Sequence, residues 1–147
     1  MDDDGCVEIV VVEDNPRDAE LAVRALRKHG AAGALRVLPD GVEALDFLLA
    51  RGAFCGRQGA PPPKVVLLDL KMPRMGGLEV LQALKADERT RSIPVVVVSS
   101  SRQDSDIKAA YGLGASSYVV KPVDFDEFAE TLGLVGAYWR RVNQPPG

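Results

Sequence analysis

The chain has 147 residues with 18 Lys and Arg against 21 Asp and Glu, so it lacks the basic excess of a nucleic-acid-binding protein. Hydrophobic residues make up 46% of it, and its length is typical of one domain with one sizeable core. Its apolar runs are far shorter than the roughly 20 residues that span a bilayer. We therefore expect a cytoplasmic protein that binds neither nucleic acid nor membranes, with Cys6 and Cys55 as free thiols.

The first half of the chain alternates two predicted strands with two predicted helices. A β-branched run interrupted only by Glu8 predicts a buried first strand. A helix follows, because Asn15 and Pro16 are a typical cap residue and first helical residue. The predicted bounds are residues 7–12 (strand), 16–29 (helix), 35–38 (strand) and 41–50 (helix).

The second half begins with a long loop at residues 51–64, which is rich in glycine and proline. Three more strands are predicted at residues 65–68, 94–98 and 118–120. Helices are predicted at residues 76–85 and 103–111, and from Asp124 onwards. In the last helix, apolar side chains at helical spacing are expected to face the core, namely Phe125, Phe128, Leu132, Val135 and Trp139.

Strands that alternate with helices predict an α/β fold, a doubly wound parallel sheet covered by helices on both faces. Crossover connections in such sheets are right-handed. Open sheets of this kind bind their ligands beyond the carboxyl ends of the strands. A functional site is therefore expected at that edge of the sheet.

Four of the five predicted strands end in a side chain that can take part in chemistry. Glu13 and Asp14 follow the first strand, Asp69 the third, Ser99 the fourth and Lys121 the fifth. Clustered carboxylates repel one another, and a hard divalent cation such as Mg²⁺ (or Mn²⁺) relieves that repulsion. We expect Asp14 and Asp69 to be direct ligands, whereas the longer Glu13 holds a metal-bound water.

This set of residues favours phosphoryl transfer. One oxygen of Asp69 remains free to attack phosphorus, and the metal, Lys121 and Ser99 each contact one phosphoryl oxygen. Taken singly, each residue has a structural explanation as a helix cap, a turn residue, a loop hydroxyl or a surface lysine. Their combination at successive strand ends favours the functional interpretation.

Four segments carry a resemblance to a known family. They are Val-Val-Val-Glu-Asp-Asn-Pro at 10–16, Leu-Leu-Asp-Leu-Lys-Met-Pro-Arg-Met-Gly-Gly at 67–77, Ile-Pro-Val-Val-Val-Val-Ser at 93–99 and Gly-Ala-Ser-Ser-Tyr-Val-Val-Lys-Pro at 114–122. Together they resemble the response-regulator receiver family (CheY-like) over about residues 7–139. The resemblance implies a flavodoxin-like sheet of order 2-1-3-4-5. It also implies one receiver domain over residues 1–147, with short loose tails and no output domain.

The resemblance assigns roles to the residues at the strand ends. It implies that Asp69 is the phosphoacceptor and that Lys121 contacts the phosphoryl group. It implies that Glu13 and Asp14 hold the metal together with Asp69 and the backbone carbonyl of Lys71.

A conformational switch is implied as well. Ser99 is the switch hydroxyl and Tyr118 the switch aromatic, which rotates inward after phosphorylation and changes the surface of the fourth helix, fifth strand and last helix. An ordinary strand aromatic is the alternative for Tyr118. The resemblance also implies a cis peptide bond between Lys121 and Pro122.

A narrower resemblance concerns residues 40–48, the proline-rich loop and residues 121–128, which are similar to stand-alone receivers paired with phytochrome-type histidine kinases. Two residues depart from common patterns, Ser99 in place of threonine and Lys71 in place of asparagine. Serine keeps the hydroxyl, so the switch should survive. A lysine at position 71 can reach over the phosphoryl group, and we expect it to alter the rate of dephosphorylation.

These patterns predict a single-domain response regulator of a two-component phosphorelay. It would catalyse its own phosphorylation and dephosphorylation only, and signal by altered protein–protein binding. Leu134 and Tyr138 lie off the core stripe of the last helix and form either a homodimer surface or a partly buried contact.

Three rival functions have weaker support. A haloacid-dehalogenase-type phosphohydrolase needs a second acid where Lys71 stands. A phosphate-independent interaction module would lack one of the acids or the lysine, and none is lost. A nucleotide-binding enzyme would show a glycine-rich phosphate loop, and the sequence has none.

Overall fold

A five-stranded parallel sheet forms the centre of the computed structural model, which describes residues 7–31 and 35–146. The strands are β1 (Ile9–Val12), β2 (Leu35–Leu38), β3 (Val65–Leu68), β4 (Val95–Ser99) and β5 (Ser117–Val120). They lie in the order β2-β1-β3-β4-β5, so the predicted fold class and strand order are confirmed.

Five helices connect and follow these strands. They are α1 (Pro16–Leu26), α2 (Gly41–Leu48), α3 (Gly77–Ala86), α4 (Asp104–Gly112) and α5 (Phe125–Ala137). The predicted caps are present at two of them. The Asn15 side chain accepts from the amides of Arg17 and Asp18, and the Asp124 carboxylate accepts from the amide of Glu127.

The sheet is covered on both faces because its central strands are apolar on both sides. The side chains of β1, β3 and β4 are buried throughout. One core cluster packs α2 and α3 against one face of the sheet, with Phe47 and Leu81 fully enclosed. The second cluster packs α1 and α5 against the other face, around Leu26 and Leu132.

The structure differs from the predicted bounds mainly at helix ends. α1 ends at Leu26, and a π turn (Arg27–Ala31) follows, in which Gly30 has the left-handed φ of 95° that favours glycine. The long predicted loop contains a 3₁₀ turn (Gly52–Arg57). Tyr138–Val142 continues α5 as a second π turn.

The prediction that Phe125 faces the core is wrong. Its side chain is 49% exposed, because Asp124 caps α5 at the rim of the sheet and the first turn lies beyond the core. The Arg17 guanidinium covers its ring, 4.2 Å from the centroid. Phe128 and Leu132 are buried, and Val135 and Trp139 pack partly buried against the second core cluster.

Within the described ranges, none of the helices combines the length and apolar character needed to cross a membrane. Cys55 is an exposed free thiol, whereas Cys6 lies outside the described residues.

Candidate functional site

The register of the sheet brings Glu13 and Asp69 together. Val12 pairs with Leu68 across β1 and β3, so the residues that follow leave the sheet side by side at its carboxyl edge. One carboxylate oxygen from each of Glu13, Asp14 and Asp69 lies within 4.8 Å of the others. Glu13 and Asp69 are buried, and Asp14 is less buried than either.

The start of α1 holds the Glu13 side chain in place. The backbone amide of Asn15 donates to Glu13 Oε2 at 3.2 Å. The Asn15 side chain then caps the helix by accepting from the Arg17 amide at 2.9 Å. Glu13 is therefore held between the end of β1 and the first turn of α1.

Lys121 enters the same site from the end of β5. Its ammonium nitrogen lies 2.6 Å from Glu13 Oε1, 3.0 Å from Asp18 Oδ2 and 3.8 Å from Asp69 Oδ2. Asp18 was not among the site residues predicted from the sequence. Its spacing was an available signal, because Asp18 follows Asp14 by four residues on a helix that begins at the site.

Burial and hydrogen bonding shift the pKa values of the charged side chains in this site. Burial raises the pKa of Glu13 to about 7, although its hydrogen bond with Lys121 acts in the opposite direction. Burial likewise raises the pKa of Asp69, against the opposing charge of Lys121. Burial alone would lower the pKa of Lys121, but its hydrogen bonds to Glu13 and Asp18 outweigh it and the pKa is raised.

The donor set fits a hard divalent cation. When ionised, the three carboxylates of this cluster carry three negative charges, whereas Lys121 supplies a single positive charge. Oxygen ligands with excess negative charge are those that Mg²⁺ and Mn²⁺ prefer. The predicted cluster of Glu13, Asp14 and Asp69 is thus assembled in a form suited to such an ion.

Ser99 and Tyr118 are linked through Ser101. Ser99 is fully buried, and its hydroxyl oxygen accepts from the Ser101 amide at 3.1 Å. The Tyr118 hydroxyl donates to the Ser101 carbonyl at 3.0 Å. The sequence showed Ser101 only as part of a serine run, and its bridging position depends on the fold of the loop after β4.

The Lys71 side chain contacts α4. Its ammonium lies 3.6 Å from Asp106 Oδ2, and its side chain is 68% exposed. Asp106 also accepts from the Ser101 hydroxyl at 2.5 Å. The proposed role of the Lys71 carbonyl as a metal ligand stays a prediction.

The expected cis bond between Lys121 and Pro122 is wrong, because that peptide is trans. Trans is favoured by about 0.5–1 kcal/mol even before proline. In this conformation Lys121 already reaches both Glu13 and Asp18.

The family model for the response regulator receiver domain matches residues 9–133, which is most of the chain. The chain belongs to this family. The receiver is 41% identical over 140 residues to a probable methanogenesis regulatory protein, FilR2, of Methanothrix harundinacea, covering 95% of this chain and 87% of that protein. It is 30% identical over 131 residues to the response regulator Rcp1 of Synechocystis, covering 89% and 87% of the two chains.

Solved structures with the same fold include the Mn²⁺-bound form of Rcp1, with a TM-score of 0.85, 29% identity, and coverage of 96% of this chain and 99% of that one. The phosphorylated cyanobacterial phytochrome response regulator RcpA has a TM-score of 0.87, 30% identity and the same coverage. The bacteriophytochrome response regulator AtBRR has a TM-score of 0.74 and 43% identity, with 96% of each chain covered. The receiver is thus a two-component signalling protein with a divalent-metal type of acidic site.

Proposed function

We propose that the receiver accepts a phosphoryl group on Asp69 from a sensor histidine kinase, with Mg²⁺ bound, and signals by altered binding to other proteins. The observation that carries this proposal is the convergence of two buried carboxylates, Asp14 and the Lys121 ammonium at one edge of the sheet. An acyl phosphate needs this combination of nucleophile, cations and hydrogen-bond donor.

Glu13, Asp14, Asp69 and the Lys71 carbonyl would hold the ion. The Mn²⁺-bound Rcp1 structure supports a divalent ion in this type of site. When bound, Mg²⁺ supplies positive charge that neutralises the phosphoryl oxygens during transfer.

The chain's own residues carry the remaining steps. An oxygen of ionised Asp69 forms a bond to phosphorus, and the bond between phosphorus and the donor nitrogen of the kinase histidine breaks, with that nitrogen keeping the electron pair. Lys121 exchanges a carboxylate partner for a phosphoryl oxygen, and the Ser99 hydroxyl donates to another. In hydrolysis, water attacks the phosphorus, the bond between phosphorus and the Asp69 oxygen breaks, and inorganic phosphate leaves, which returns Asp69 to its carboxylate form. The receiver would thus catalyse its own phosphorylation and dephosphorylation only.

The Ser99–Ser101–Tyr118 linkage supports a switch. Phosphorylation adds nearly two negative charges at the end of β3. Movement of Ser99 towards these charges would break its contact with the Ser101 amide and shift the carbonyl that holds Tyr118. The surface formed by α4, β5 and α5 would change as a result.

A phytochrome-type histidine kinase is the proposed phosphodonor. RcpA is a cyanobacterial phytochrome response regulator, and AtBRR is a bacteriophytochrome response regulator that is 43% identical to the receiver over nearly its whole length. This likeness supports a kinase of the same type.

The last helix supports a homodimer surface. Leu134 and Tyr138 are 62% and 47% exposed, and Val142, four residues further on, is 70% exposed. A second copy that packs the same apolar stripe against it would bury all three side chains. Tyr138→Asp should shift sizing chromatography towards a monomer, and an unchanged elution volume would argue against this surface.

The main experiment measures intact mass after incubation with Mg²⁺ and acetyl phosphate. Wild type should gain the mass of one phosphoryl group, whereas Asp69→Asn should gain none. Omission of Mg²⁺ should abolish the gain in wild type. An unmodified wild type, alongside a second receiver that is modified in the same tube, would overturn the proposal and favour a phosphate-independent interaction module.

A further inference from the structure

Two arginines converge at the amino-terminal edge of the sheet, opposite the acidic site. Arg140 Nη2 and Nη1 lie 3.2 and 3.3 Å from the position that a β-carbon on Gly30 would occupy, and Arg141 Nη2 lies closer still. The absence of a side chain at Gly30 therefore makes room for both guanidinium groups. Lys64 joins them, because its ammonium donates to the Arg140 carbonyl at 3.0 Å. These three residues are called the basic cluster below.

The positive charge of the basic cluster is incompletely balanced. Lys64 lies 2.8 Å from one oxygen of Glu8, and Arg140 Nε lies 3.9 Å from the other. Arg141 has no salt bridge within the described ranges, and its bond to the His29 carbonyl is 3.4 Å long. Among the described residues, Glu8 is the one carboxylate within salt-bridge distance of these three cations, so these contacts leave an excess of two positive charges.

Arg140 also has a buried donor nitrogen that lacks a hydrogen-bond partner in the part of the chain that the structure describes. Its side chain is only 14% exposed, and among the described residues Arg140 Nη1 is a buried nitrogen with no hydrogen bond. Leaving a buried, charged donor without a hydrogen bond is unfavourable, so this nitrogen favours the approach of an acceptor. Packing of the helix ends explains the hydrogen bond from Arg141 to the His29 carbonyl. It does not provide an acceptor for Arg140 Nη1.

We propose that the basic cluster binds a tetrahedral dianion of the phosphate class. Guanidinium groups match phosphate oxygens geometrically, and a phosphate monoester carries close to the two negative charges that the cluster lacks. A carboxylate would balance only one of them. Arg27 and Lys28, exposed on the π turn that contains Gly30, add positive charge around the site.

The test is a titration of the whole ¹⁵N-labelled chain with inorganic phosphate, at constant ionic strength and without Mg²⁺. The Gly30 amide and the Nε signals of Arg140 and Arg141 should shift and saturate. Arg140→Gln and Arg141→Gln should each weaken binding about tenfold, the effect of one charge-assisted hydrogen bond. Binding at Asp69 would instead shift signals at the opposite edge of the sheet.

Arg91→Gln is the matched control, because it removes the same charge from an exposed residue outside the cluster. It should leave phosphate binding unchanged.

A parallel titration uses adenosine monophosphate in place of inorganic phosphate. Tighter binding than phosphate would assign the site to a nucleotide-borne phosphate, and equal binding would assign it to the phosphate group itself. Shifts that fail to saturate, or a dissociation constant that is unchanged in Arg141→Gln, would overturn the proposal and leave these arginines as caps of the helix ends.

Discussion

Lys121 Nζ lies 3.0 Å from Asp18 Oδ2, nearer than the 3.8 Å that separates it from Asp69 Oδ2. The ammonium is therefore held by a carboxylate of α1 as well as by Glu13. To reach a phosphoryl group on Asp69, it has to leave at least one of these partners. Asp18 thus competes with the phosphoryl group for the lysine.

Asp18→Asn should increase the rate of phosphorylation by acetyl phosphate roughly two- to fivefold, the range for a partly exposed ion pair. The rate is measured by intact mass against time. Glu20→Gln is the control, because it makes the same charge change on the same helix, where Glu20 pairs with exposed Arg24. A slower Asp18→Asn variant would show instead that Asp18 places Lys121 correctly for catalysis.

Mg²⁺ affinity should rise with pH through about 7. The pKa of Glu13 is raised by burial to about 7, so below that pH a proton occupies the carboxylate and competes with the ion. Between pH 6 and 8, affinity should increase up to roughly tenfold per proton displaced. Calorimetry in buffers of different ionisation enthalpy measures the proton release directly. In Glu13→Gln the pH dependence should be largely lost, and a wild type without proton release would contradict this account.

The pH dependence of the folding stability of the metal-free protein should also depend on Glu13. The folded-state pKa of Glu13 exceeds its ordinary value of 4.5. Its protonation therefore contributes stability that is fully present below pH 4.5 and is lost as the pH rises through about 7. Urea unfolding of Glu13→Gln should be less sensitive to pH over this window than that of wild type. Equal pH dependence in both proteins would exclude Glu13 as the source.

Lys71→Asn and Asp106→Asn should change the lifetime of phospho-Asp69 in opposite directions. Asp106 holds the Lys71 ammonium towards α4 at 3.6 Å, so its removal lets Lys71 approach Asp69, whereas Lys71→Asn removes the ammonium altogether. Loss of the phosphoryl mass over time gives both lifetimes. Asp106 also binds the Ser101 hydroxyl, so the double variant serves as the control and should resemble Lys71→Asn. An unchanged lifetime in Lys71→Asn would rule out a role for this lysine.

Gly77→Ala should destabilise the fold by about 1–3 kcal/mol through overpacking. A β-carbon on Gly77 would collide with the carbonyl oxygen of Asp69 and stand 2.7 Å from the α-carbon of Leu70. Urea unfolding measures the loss, and phosphorylation should slow because the backbone of Asp69 has to move. Gly112→Ala in α4 is the control, because open space surrounds its β-carbon position and alanine favours helix by roughly 0.5–1 kcal/mol. Equal effects of the two substitutions would contradict the close approach of α3 to Asp69.

The position of the site was predictable from the sequence because parallel strands end at the same edge. Buried β-branched runs located the strands, and the residues after them were the acids, serine and lysine that the structure brings together. Ser101 was missed because its role depends on hydrogen bonds to Ser99 and Tyr118, which leave no periodic pattern. Asp18 has the helical spacing from Asp14, but that spacing alone does not show that it meets Lys121 from a separate element. Phe125 was wrongly predicted to face the core because it shares the helical spacing of the buried residues of α5. Its side chain is exposed because the first turn of α5 lies beyond the end of the sheet.

The register between β1 and β3 confines the chemistry to one end of the molecule, and the glycine- and proline-rich connection before β3 lies at the other end. A β-carbon at Gly59 would have no neighbour within 4 Å. A fluorescent protein inserted after Gly59 would thus leave the carboxylates undisturbed. The receiver could in this way be converted into a reporter of its own activation, with the acceptor fluorophore carried by its binding partner.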